Sequence, residues 1–65
     1  MHDYQLRVIT EKKDLDEKIE KLGKFVLGHI FHGLDIDERK DMLLQLGTME
    51  LYSLVLEKRI QRFSP

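Results

Sequence analysis

The chain contains no cysteine and no tryptophan, and its single proline is the last of 65 residues. Without cysteine, disulfides and thiolate metal sites are excluded, a composition that suits a reducing cytosol. Helix breakers are scarce, with four glycines and no internal proline. Neither sign of charge dominates, since 11 basic residues face 12 acidic ones and the net charge is −1. Proteins that live on duplex phosphate carry a clear basic excess, so duplex nucleic acid is not an expected partner. No apolar run approaches the roughly 20 residues that span a bilayer. The opening MHDYQLRV also lacks the basic start and apolar stretch of a signal peptide. These absences lead us to expect a soluble cytoplasmic chain with no membrane partner.

What is present is helix-forming: Leu, Glu, Lys, Asp, Ile and Arg in quantity. We expect an all-α fold in one domain over residues 1–65, an antiparallel helical hairpin. Its parts are a helix over about 3–26, a connecting turn over 27–34 with a short helical turn in it, and a helix over about 36–63. Asp3 is the expected N-cap of the first helix. The apolar positions Val8, Leu15, Ile19, Leu22 and Val26 make a seam, the last four in steps of 4, 3 and 4. Lys12 stands where the seam would otherwise be completed; such a residue either fixes register or snorkels out. In the turn, Phe25, Ile30, Phe31 and Leu34 are expected to plug the hairpin's end. The second helix opens on DIDE (Asp35 to Glu38), which has the shape of a capping box. Its seam runs Met42, Leu46, Met49, Ser53, Leu56, Ile60, Phe63, with Ser53 the polar interruption. Leu43, Leu44, Leu51, Tyr52, Leu54 and Val55 are left over on its other faces. A helix apolar nearly all round is buried nearly all round, and a hairpin covers only one face. We therefore expect self-association into a homo-oligomer. Gly47, mid-helix, fits either a close helix approach or a kink.

Chemistry-bearing groups are few. His29 and His32 are three apart, but two imidazoles do not make a metal site, and no metal or other cofactor is expected. Short of Ser64, the serine and threonine residues are Thr10, Thr48 and Ser53, none in a nucleophile motif, and there is no glycine-rich phosphate loop. We expect no enzyme activity. Tyr4 and Lys18 lie 14 residues apart on one side of the first helix, about 21 Å along its axis. Within one chain that spacing leaves Tyr4 a stray aromatic at a helix end. In an antiparallel pair of first helices, Tyr4 of one copy would approach Lys18 of the other across a groove of ligand size. An aromatic face stacks a base and a lysine neutralises phosphate, with Arg7 and Lys21 able to reinforce them. The plainer alternative is a helix-end tyrosine and solvated lysines. On the second helix Tyr52 and Arg59 share a face, although cations there also complement the helix dipole.

The stretches YQLRVITEKKDLDEKIEKLGKF and MELYSLVLEKRIQRF resemble those of small helical proteins of tailed phages, the anti-CBASS cyclic-nucleotide sponges. The resemblance covers nearly the whole chain. It implies a compact hexamer that sequesters the second messengers of a bacterial immune system without cleaving them. By the same resemblance, cyclic dinucleotides would lie between paired N-terminal helices against Tyr4 and Lys18, with Lys21 an alternative to Lys18. Cyclic trinucleotides would use a separate contact at Arg59. The different reading to weigh beside it is a helical interaction module that inhibits a host protein through its apolar face.

Overall fold

Two capped starts and one glycine-flanked turn divide the chain into three helices in the computed structural model, which describes residues 1–63. They are α1 (Asp3–Val26), α2 (His29–His32) and α3 (Ile36–Gln61). The expected domain of residues 1–65 takes in two further residues, Ser64 and Pro65, which lie outside the described ones.

The cap of α1 is His2, one residue before the expected Asp3. His2 is extended, and its backbone N–H donates to Gln5 Oε1 at 2.9 Å. That reach back satisfies a donor the helix leaves open, so Gln5 rather than Asp3 sets the start. Asp3 instead lies in the first turn, where a negative charge meets the positive end of the helix dipole. At α3, Asp35 Oδ2 accepts from the Asp37 N–H at 3.0 Å, so DIDE caps through its first acid.

α1 and α3 pack antiparallel, forming a rod of 49 × 14 × 14 Å. Val8, Leu15 and Leu56 form the buried core, and Ile19, Met49, Ile60 and Phe63 pack against it. Both seams therefore meet as their spacing requires, although α3 ends at Gln61 and Phe63 follows in a turn. Leu56 has no exposed surface, and burying such a side chain contributes about 1.5–3 kcal/mol.

The two polar interruptions of the seams face each other. The Lys12 ammonium donates to Ser53 Oγ at 2.9 Å and to Asp16 Oδ2 at 2.8 Å, and the Ser53 hydroxyl donates to Asp16 Oδ1. Lys12 thus turns into the helix interface and does not snorkel out of it. A slip of α3 by one turn would strand the buried Ser53 among aliphatic groups without a partner, at a cost of about 1–3 kcal/mol.

At the turn, Phe31 is buried and meets Phe25 edge to face at 6.5 Å. Leu34 is partly buried, and its N–H donates to the Phe31 carbonyl at 3.1 Å. Ile30 does not join the plug, being 61% exposed. Successive helical residues point about 100° apart, so a one-turn helix that aims Phe31 inward turns Ile30 outward.

Leu43, Leu44, Leu51, Tyr52, Leu54 and Val55 remain between 44% and 69% exposed. Among the described residues, nothing beyond the backbone of its own helix and its two chain neighbours lies within 4 Å of where a Cβ of Gly47 would be, and α3 runs through it unbroken. Any close approach at that glycine therefore does not come from α1.

Candidate functional site

Where two helices cross, the residues flanking their shared seam border a furrow on each side. On one side, a groove of about 580 Å³ has an apolar floor of Leu6 and Leu15 from α1. Arg7, Glu11, Asp14 and Lys18 rim it on α1 with Thr10 between them, and Tyr52 closes it from α3. On the other side, Ile9 and Ile60 floor a furrow of about 490 Å³ bordered by Lys12, Lys13, Asp16, Glu17 and Glu20. Three acids against two lysines make this second furrow unattractive to an anion.

The first groove holds Arg7 and Lys18 together. Lys21 is exposed on α1 beyond its lining. Arg59 is partly buried on α3, two turns past Tyr52, and also outside the groove. Tyr4 lies outside it as well, but it is not without neighbours in its own chain. Its ring meets Phe63 edge to face at 5.8 Å and stacks on His2 at 6.1 Å. The antiparallel return of α3 brings Phe63 to the start of α1, a contact that spacing along α1 does not reveal. The ring stays 49% exposed.

Among the described residues, none of Arg7, Lys18, Lys21 and Arg59 makes a side-chain hydrogen bond or ion pair. The same holds for Glu11 and Asp14 in the groove. Asp16 is held below the ordinary carboxylate range, chiefly by the hydrogen bond from Lys12 and then by that from Ser53. It serves the helix interface and not the groove.

Of the groove residues, sequence reasoning assigned only Arg7 and Lys18 to a site; Tyr52, Glu11 and Asp14 are the aromatic and charged ones it left out. The signal for Tyr52 is its place directly before Ser53: a residue beside a seam position flanks the interface. Glu11 and Asp14 read as members of a solvated charged face, because only the position of α3 decides which side of that face becomes concave.

The family model described as Sequestin matches residues 2–62. The chain belongs to the Sequestin family. The match takes in all three helices and every residue of the groove. The family's name describes sequestration, which is binding without turnover, and specifies no ligand. No curated protein and no solved structure matches the chain. No helix among the described residues is long and apolar enough to cross a membrane.

Proposed function

We propose that this protein binds and sequesters cyclic di- and trinucleotide second messengers without cleaving them, in sites shared between the subunits of a homo-oligomer. Membership of the Sequestin family over residues 2–62 carries the reading. The geometry supports it in two ways. Arg7 and Lys18 stand unpaired along a groove of about 580 Å³, large enough for part of a nucleotide. Tyr4 keeps half its ring free at the start of the same helix. Tyr4 and Lys18 are about 21 Å apart along α1, so one protomer does not bring them to one ligand. A second copy lying antiparallel does.

In this reading Tyr4 and Lys18, with Arg7 and Lys21 near them, hold a cyclic dinucleotide between paired α1 helices. Arg59 serves a separate trinucleotide contact. The assembly is the hexamer of the anti-CBASS phage sponges that the chain resembles, and it acts in the host cytoplasm by lowering free messenger. Self-association also explains the apolar residues that α3 leaves uncovered. That same face favours one second reading, a module that docks on a host protein and inhibits it.

Calorimetric titration with a cyclic di- and a cyclic trinucleotide separates the two. The sponge reading expects saturable heat with at least one of them. It also expects Tyr4→Ala to abolish dinucleotide binding while the oligomer persists. No heat with either ligand favours the host-protein module, and unchanged affinity in Tyr4→Ala removes the stacking role of that ring.

A further inference from the structure

The groove between α1 and α3 carries two acids that a phosphate site has no use for. Glu11 and Asp14 lie between Arg7 and Lys18, whose positions are about 16 Å apart along the helix. Arg7 with Glu11 and Asp14 with Lys18 have the four-residue spacing at which helix ion pairs form. Even so, no pair among the four is closed in the described residues. A carboxylate repels a phosphate placed beside it, so a groove that read only anions would lose affinity through both acids. The ligand that suits both kinds of group carries an anion and, at some distance from it, a cluster of N–H donors.

A nucleotide with an amino-bearing base has that character, with its phosphate on one side of the sugar and its N–H donors on the base edge at the other. Guanine offers a carboxylate two adjacent donors, its ring N–H and its exocyclic amine. Uracil has a single imide N–H and no amine. Tyr52 borders the same groove from α3, still 44% exposed, and a tyrosine face stacks any base.

We infer that this groove is a base-reading half-site, in which Tyr52 stacks the base, Glu11 and Asp14 accept from its amino edge, and Arg7 or Lys18 meets a phosphate of the ligand's backbone. The inference rests on the cyclic-nucleotide reading and deepens it. It names the base class, and it places an aromatic contact within one protomer besides the Tyr4 contact between protomers.

The test is calorimetric titration with two cyclic dinucleotides of identical backbone, one with guanine bases and one with uracil. The wild-type protein binds the guanine form more tightly by about tenfold or more, the discrimination of a good carboxylate–amine pair. In the double variant Glu11→Ala/Asp14→Ala the two affinities converge, while the uracil form binds no more weakly than to wild type. Tyr52→Ala weakens both forms by about 5- to 150-fold, as expected for one lost stack, and Tyr52→Phe restores them. Circular dichroism checks the fold of each variant, and should Tyr52→Ala fail to fold, the acid double variant and Tyr52→Phe decide. Equal wild-type affinity for the two forms overturns the inference, as does a guanine preference that survives the double variant. If wild type binds neither form nor any other cyclic nucleotide, the functional reading itself falls and this inference with it.

Discussion

At the scale of single residues, the Lys12–Ser53–Asp16 cluster makes the fold specific. Aliphatic seams tolerate sliding, because one Leu replaces another at similar cost. A half-buried ammonium that needs a hydroxyl and a carboxylate accepts one register only. Asp16 is held below the ordinary aspartate range by the Lys12 and Ser53 hydrogen bonds. A carboxylate depressed in the folded state stabilises the fold fully above its unfolded value and loses that contribution as pH falls through the folded one. Stability should therefore drop as pH falls below about 4, with the loss spread over the interval down to Asp16's lowered value. Asp16 is nearly half exposed, so solvent screening keeps the effect small. Denaturant unfolding at a series of pH values checks it: Asp16→Asn should be less stable than wild type near neutrality, and that gap should close in acid. A gap that stays constant with pH would remove the ionised pairing as its cause.

At the scale of elements, α3 is the informative helix. It covers α1 with one face and leaves Leu43, Leu44, Leu51, Leu54 and Val55 in solvent, more apolar surface than an isolated hairpin has reason to carry. Leu51 is 63% exposed in the protomer, so Leu51→Glu should change its helix content and stability by no more than about 0.5 kcal/mol. In the proposed assembly the same substitution buries an unpaired charge. Size exclusion with light scattering should show the wild type as an oligomer and Leu51→Glu as a smaller species of unchanged helicity. A monomeric wild type would contradict the assembly.

How much of this was readable in the sequence differs from element to element. Both seams are stepped in fours and threes, so Val8, Leu15, Leu56 and Ile60 declare the core without a structure. α1 begins at Asp3 as its spacing predicts, and only the cap differs, because histidine is not a habitual cap and the deciding contact is a backbone N–H to Gln5, which composition does not signal. Ile30 was drawn into the plug by its hydropathy, although a one-turn helix has room to bury only Phe31. The meeting of Lys12 with Ser53, the Tyr4–Phe63 contact and the place of Tyr52 in one groove with Arg7 and Lys18 all depend on the register of one helix against the other. Spacing within a helix does not contain that register. For the same reason the sequence suggests a groove between paired first helices and does not reveal the one between α1 and α3.

At the scale of the whole molecule, a rod of 49 × 14 × 14 Å encloses no ligand. What it offers is furrows along its length and an apolar flank. In the proposed assembly, copies of such an object complete one another's grooves. A sponge of this kind works by stoichiometry, so its capacity is set by the number of completed grooves and not by any rate. The most direct measurement of the central claim is to load the purified protein with a cyclic nucleotide, remove free ligand, denature the complex by heat and quantify what is released. The account predicts intact ligand, recovered in a fixed ratio to protein. Linear or otherwise cleaved nucleotide in the released fraction, or no retained nucleotide at all, would contradict it.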